Sequence, residues 1–170
     1  MPAFGAHTFP ALPRYAVGAG IQTEFGTLIP SGTVVAYVHS SGQIDGSSDE
    51  INNRLVTTLN AGLGLCRSGE SDIVVVLPGH AENVDSVDDW DNLVAGTSIV
   101  GLGNGTSRPT FTWSTATSTA LLDVADVSIS NCIFEMAGPS GTTAITVTAP
   151  MTISAAGCSL ANCTFHTEID

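Results

Sequence analysis

The sequence predicts an all-β protein whose body is a short parallel β-helix, capped at its N-terminal end by one α-helix and preceded by an extended arm. Three observations carry this expectation. A short residue pattern returns at intervals suited to a coil of strands, the composition favours strands and tight turns over helices, and four of the eight prolines crowd between Pro2 and Pro30.

The pattern reads VAGTSI at Val94 to Ile99, VADVSI at Val124 to Ile129 and TAPMTI at Thr148 to Ile153, so the step from the first to the second is longer than the step from the second to the third. A weaker copy at Ser68 to Ile73 places Ile73 at a comparable interval ahead of Ile99. Each turn of a coil must bring the chain back over the same point of the turn before, which produces such intervals. A β-sandwich also alternates inward and outward residues but need not return to one pattern at a near-constant interval. A second match sets Ile129 to Phe134 (ISNCIF) against Leu160 to Phe165 (LANCTF). Asn131 and Asn162 in this match are the candidates for a structural ladder, in which stacked amides hydrogen-bond one another at a bend. The displacement of the second match exceeds the step from Ile129 to Ile153, and the extra chain is placed at Ala155 to Ala161.

Taken in order, residues 1–46 form the arm. Pro2, Pro10, Pro13 and Pro30 disfavour helix, while Phe4, Phe9, Tyr15 and Phe25 are too apolar to be left in water and mark contacts with a neighbouring subunit, a partner surface or the chain's own body. Thr33 to Val38 is the one clear strand of this segment. Residues 47–170 form the capping helix and the coil. Ser47 or Ser48 supplies an N-cap, and Ile51, Leu55, Leu59 and Leu63 share one face of a helix running from Ser48 to about Leu65. Such a helix can lie over the open first rung of a stack. Strands are expected at Asp72 to Leu77, Ser98 to Leu102, Thr110 to Trp113, Ala120 to Val124, Val127 to Phe134, Ala144 to Thr148 and Met151 to Ser154. After Phe165 the last rung has no cap, and a bare stack end invites pairing with other chains, so a closed homo-oligomer is expected.

Sixteen acidic residues against four Arg and no Lys give a net charge of −12, which argues against nucleic-acid binding because phosphate neutralisation needs cations. The absence of a basic start followed by an apolar run, and of any apolar stretch long enough to span a bilayer, predicts a chain made in the cytoplasm with no membrane span. Cys66, Cys132, Cys158 and Cys163 contain no C-x-x-C pair and read as buried small hydrophobes.

Few residues point to chemistry. His80 and Glu82 stand at alternate positions after a strand and could share a side as an acid/base pair, but no third group or cleft is evident, so they read as a turn that fixes the next strand. Asp85, Asp88, Asp89 and Asp91 offer oxygen ligands for calcium, yet their order matches no EF-hand loop, and they read as a solvated acidic loop anchored by Trp90. Arg108 is the only cation after Arg67, and a hydrogen bond or a carboxylate partner nearby is its expected role. No catalytic, cofactor or metal residue is assigned, and no cofactor is expected.

At Val75 to Glu82 (VVLPGHAE), Ile99 to Phe111 (IVGLGNGTSRPTF) and Asn131 to Phe134 (NCIF), the chain resembles virion proteins of tailed bacteriophages that carry pectate-lyase-like folds, over roughly residues 34–135. The resemblance implies a right-handed parallel β-helix and a structural protein of the virion, with no catalytic signature. A short chain with an arm looks most like a head decoration (cement) protein, which implies a homotrimer bound to the major capsid protein on the outer capsid surface. The alternative implied is a tailspike or tail-fibre component that binds or cleaves host polysaccharide. No nucleic acid and no membrane is expected as a partner.

Overall fold

The computed structural model of the chain describes residues 21–22, 28–29, 33–42, 54–136 and 150–167. The chain divides into two units, 1–33 and 34–170. In the first unit, β1 (Ile21–Gln22) and β2 (Leu28–Ile29) pair antiparallel with Ile21 opposite Ile29. The predicted contact residues Phe4, Phe9, Tyr15 and Phe25 lie outside the described residues.

The second unit is built of strands in parallel sheets with one short α-helix among the described residues. In chain order these are β3 (Val35–Val38), β4 (Leu55–Val56), α1 (Leu59–Leu63), β5 (Ile73–Val76), β6 (Ala81–Val84), β7 (Ser98–Gly101), β8 (Thr110–Trp113) and β9 (Ala120–Leu122). Then follow β10 (Ser128–Ser130), β11 (Ile133–Met136), β12 (Met151–Ile153), β13 (Ser159–Ala161) and β14 (Thr164–Thr167). They stack in three sheets: one in the order β13-β10-β7-β5-β3-β4, one in the order β14-β11-β8-β6, and the pair β12-β9. From β5 to β8 the chain alternates between the first two sheets, and from β9 it visits all three in rotation, so β9, β10 and β11 are followed by β12, β13 and β14, each beside its predecessor. The strand expected in the N-terminal segment, β3, lies inside the six-stranded sheet beside β5 and therefore belongs to the second unit.

Register follows the inward-facing residues. Ile99, Ile129 and Leu160 are neighbours in one sheet, and Phe111, Phe134 and Phe165 in another. Between the last two layers the offset is constant: Ala120 pairs with Met151, Ser128 with Ser159 and Ile133 with Thr164, the same separation in all three sheets. Two expectations are corrected here. Ile153 pairs with Leu122 in the third sheet and shares no column with Ile99 and Ile129, so its shorter step is a likeness of local composition and no extra chain is needed at 155–161. Beneath Ile99 stands Val74, which is buried, while Ile73 pairs with Ser98. A slip of one residue turns every side chain to the opposite face, and the core selects the register that buries Val74 and Val76.

The strands β3, β5, β7 and β8 alternate half-buried and buried residues, and the interior is filled by Val38, Val74, Val76, Ile99 and Ile129 together with an aromatic group. In that group Trp90 meets Phe111 edge-on at 5.6 Å and 77°, and Trp113 meets Phe134 at 5.7 Å and 66°. Edge-to-face geometry sets the positive ring edge against the negative face of its neighbour. Trp90, 1% exposed, anchors the acidic loop between β6 and β7 to the core.

The helix is shorter than its leucine spacing predicts. Leu55 pairs with Tyr37 in β4 instead of opening a helical turn, and Ser47, Ser48 and Ile51 lie outside the described residues. The β-branched run Val56-Thr57-Thr58 favours extended backbone, and Thr58, extended at φ −126° and ψ 153°, is the N-cap, accepting from the Ala61 N–H at 3.2 Å. α1 packs on β3, β4 and β5 with Leu59 and Leu63 fully buried. Gly62 permits this approach, since a Cβ there would stand 2.8 Å from Val38 Cγ2.

Candidate functional site at the exposed end of the strand stacks

The strands β12, β13 and β14 close one end of all three sheets, and each has a strand partner on one side only among the described residues. Phe165 in β14 lies on Phe134 with ring centroids 5.0 Å apart. The two rings occupy equivalent places one layer apart, yet Phe134 is 1% exposed and Phe165 51%. Ile153 in β12 is 48% exposed, whereas its partner Leu122 is fully buried. Layer by layer, the residues that form the core beneath become surface at this end.

The bend between the first two sheets holds the asparagine pair. Asn131 and Asn162 each follow a strand and adopt positive φ, 58° and 53°, a conformation that Asn tolerates because its short amide can bond locally. Asn131 Nδ2 donates to the carbonyls of Gly101 (2.9 Å) and Gly103 (3.1 Å), and Asn162 Nδ2 donates to Asn131 Oδ1 at 2.8 Å. Gly101 allows the turn above it to come close, because a Cβ there would meet the Asn131 carbonyl oxygen at 2.5 Å.

Arg108 reaches along this end from the residue pair preceding β8. Its guanidinium donates to the Asn162 carbonyl at 2.9 Å and to the Thr164 hydroxyl. Among the described residues it makes no ion pair, so of its two expected roles it has the hydrogen bond. No Asp, Glu, Lys or Arg occurs from Met136 to Thr167. At this end His166 Nδ1 lies 3.5 Å from Glu135 Oε1, with both groups well exposed.

The residues that could do chemistry elsewhere are committed to structure. His80 Nε2 and Glu82 Oε2 are 2.8 Å apart, and the same carboxylate oxygen accepts the Leu59 N–H at 2.8 Å. The pair thus ties the start of α1 to β6. The His80 side chain is fully buried against Phe111 and has no access to a substrate. Asp72, also fully buried, accepts from the N–H groups of Val34 and Arg67 and from the Arg67 guanidinium. Burial alone would raise its pKa, but the Arg67 side chain and the two backbone donors outweigh burial and hold it below the usual carboxylate range.

In the acidic loop, Asp91 accepts from Asn60 Nδ2 and Asp89 from the Ser86 hydroxyl. The Asp88 carboxyl is raised by burial, then by the charges of Asp123 and Asp91. Among the described residues no group of three or more His, Cys, Asp or Glu side chains is placed to hold a metal ion. Burial, aided by Asp72, pushes the Cys66 thiol up to about 11, and burial, aided by Cys163, pushes Cys132 up to about 12. Such thiols are poor nucleophiles at neutral pH.

Sequence reasoning did not find the Arg67–Asp72 pair or the link from Glu82 to α1. The short spacing of Arg67 and Asp72 hints at the first, but the contacts of Asp72 to Val34 and of Glu82 to Leu59 join distant parts of the chain and leave no local signal. No described helix is long and apolar enough to cross a membrane. No family model matches the chain, and no curated protein or solved structure does.

Proposed function

We propose that this chain is a non-enzymatic structural protein of a tailed-bacteriophage particle, folded as a short right-handed parallel β-helix, that decorates the head by binding the major capsid protein lattice. The β-helix reading is supported by the rotation of the chain through three parallel sheets at a constant advance over the last two layers. The observation that carries the functional reading is the contrast between the two kinds of surface. The buried His80 and Asp72, with their partners Glu82 and Arg67, are engaged in folding contacts, while the end strands β12, β13 and β14, which contain no Asp, Glu, Lys or Arg, expose Phe165 and Ile153 to solvent. That pattern suits a protein that binds surfaces and does not turn over substrate. The particle itself is brought in by the resemblance at Val75 to Glu82, Ile99 to Phe111 and Asn131 to Phe134.

The test is co-sedimentation of the purified chain with phage heads that lack it, together with imaging of heads before and after addition. Saturable binding at a fixed ratio to the capsid lattice, lost on removal of the segment from Met1 to Pro30, is the expected result. No binding to heads, with release of reducing or unsaturated sugar ends from a host polysaccharide, overturns the proposal in favour of a tailspike component.

A further inference from the structure

We propose that Cys132 and Cys163 form a two-coordinate site for a soft monovalent cation of the copper(I) and silver(I) class, held between the sulfurs of the last two layers. Such a site stands apart from the particle assignment and is read on the purified chain. The two residues share one row of the stack. Ser130 pairs with Ala161 and Ile133 with Thr164, so the constant offset of these layers sets Cys132 against Cys163. The Thr164 N–H donates to the Cys132 carbonyl at 3.0 Å and fixes that register.

Both thiols point the same way. Cys132 Sγ donates to the Ser130 carbonyl at 3.4 Å and Cys163 Sγ to the Ala161 carbonyl at 3.5 Å, equivalent atoms of the two layers. Cys163 Sγ also reaches the Ile129 carbonyl at 3.7 Å, leaning toward the layer of Cys132. Side chains so matched stand one strand spacing apart, about 4.8 Å. A disulfide needs sulfurs about 2 Å apart and Cβ atoms at about 3.8 Å, so forming one would require the layers to draw together. Two thiolate bonds to a d10 cation, each about 2.3 Å, span about 4.6 Å in a straight line and fit the stack as it stands. Zinc needs four ligands, and among the described residues no group of three or more His, Cys, Asp or Glu is placed to hold a metal. Soft thiolates in a pair select a soft monovalent ion instead.

Two thiolates around one such cation carry a net negative charge, which a buried site holds only beside a countercharge. Arg108 supplies it. Its guanidinium donates to the Asn162 carbonyl and the Thr164 hydroxyl, on either side of Cys163, and makes no ion pair among the described residues. Burial and Cys163 push the Cys132 thiol up, and the Arg108 charge acts against them. Cys132 is fully buried, but Cys163 is only half-buried and lies in the layer where Phe165 and Ile153 are exposed, which gives the ion its entry. Loading exchanges two S–H protons for two sulfur–metal bonds and releases both protons to solvent, with no change of oxidation state.

Native mass spectrometry of the full chain titrated with silver nitrate, with glutathione present as a competing monothiol, tests this. One silver ion per chain, retained with the loss of two protons, and two sulfur neighbours in X-ray absorption at the silver edge are expected. Cys132→Ala and Cys163→Ala each leave a single thiol and should weaken retention about a hundredfold. Should Cys132→Ala unfold the chain, Cys163→Ala, at the half-buried position, carries the same readout. Arg108→Gln, which removes the countercharge, should weaken retention about tenfold. Cys66→Ala and Cys158→Ala, outside the stacked pair, leave it unchanged. No silver on the parent chain, three or more sulfur neighbours, a silver-linked dimer, or loss of retention in Cys66→Ala or Cys158→Ala overturns the proposal. So does retention by Cys163→Ala equal to that of the parent, and an unchanged Arg108→Gln overturns the part given to its charge.

Discussion

The side-chain amide of Asn162 donates to the side-chain carbonyl of Asn131 across 2.8 Å, so the bend of one layer rests on the bend of the next. Beneath them the column ends on the carbonyls of Gly101 and Gly103, which accept from Asn131. Asn131 is thus the middle of the ladder and Asn162 its exposed terminus, and the two should differ in importance.

Replacing Asn131 by Ala removes two donated bonds and one accepted bond and places a Cβ residue at φ 58° without a compensating amide. A loss of about 2–4 kcal/mol is expected from the stranded polar groups and the backbone strain together. Asn162→Ala should cost about 1–2 kcal/mol, since one bond at an exposed site is lost and Ala again stands at positive φ, 53°. Asn131→Gly keeps the backbone free to turn and should fall between them. Urea unfolding midpoints at constant m-value distinguish the three.

Gly101→Ala tests the close approach on which the ladder depends. The added methyl would lie 2.5 Å from the Asn131 carbonyl oxygen, a distance that only movement of one layer can relieve. The expected cost is about 1–3 kcal/mol, in the range of overpacked cores. Thermal unfolding should show it.

Asp72 predicts acid sensitivity. Its folded-state pKa is held below the unfolded value, so its contribution to stability is complete above the unfolded carboxyl range, about pH 4, and disappears as pH falls through the lower folded value. Asp72→Asn should remove that part of the pH dependence. It should also lower stability at pH 7 by about 2 kcal/mol, because one carboxylate oxygen that accepts from Arg67 becomes an amide donor. Unfolding free energy measured from neutral pH into the acid range for both proteins checks the sign.

Glu82→Ala strips the Leu59 N–H and the buried His80 ring of their shared partner. About 2–3 kcal/mol is expected, because each loses a bond to a carboxylate. Hydrogen exchange should show the loss first in α1, Leu59–Leu63, before the parallel sheets are affected.

Thiol labelling gives an independent view of packing. With Cys132 pushed up to about 12 and Cys66 to about 11, both should resist iodoacetamide in the native protein at mildly alkaline pH and react after unfolding. Mass spectrometry of digested peptides resolves each site.

What could be read in advance depended on whether the two faces of a strand look different. In Ile129 to Phe134 and Leu160 to Phe165 the order of large, small and polar residues is specific enough to fix the displacement of one copy from the other, and the structure has the same register. In Ile73 to Val76 every residue is apolar, so the sequence does not mark which ones face inward, and the alignment with Ile99 slips by one. Ile153 misleads for another reason: it follows a Thr much as Ile129 follows a Ser, although the two lie in different sheets. The leucines at four-residue steps suggest helix from Ser48, but Leu55 is taken by the edge of β3, a tertiary demand that outweighs local spacing. The exposed end and a helix ahead of the stack are both expected from the sequence, whereas the late start of that helix at Leu59 and its seat on β3, β4 and β5 required the three-dimensional contacts.

The constant separation between the last two layers bears on how such a protein could change its size. An in-frame tandem copy of the segment from Asn131 to Ala161 would insert one further storey, with each new strand meeting the neighbours it already has in the parent. Insertions of other lengths would have to leave the wall as loops. Height can therefore evolve in whole steps while the cross-section stays fixed.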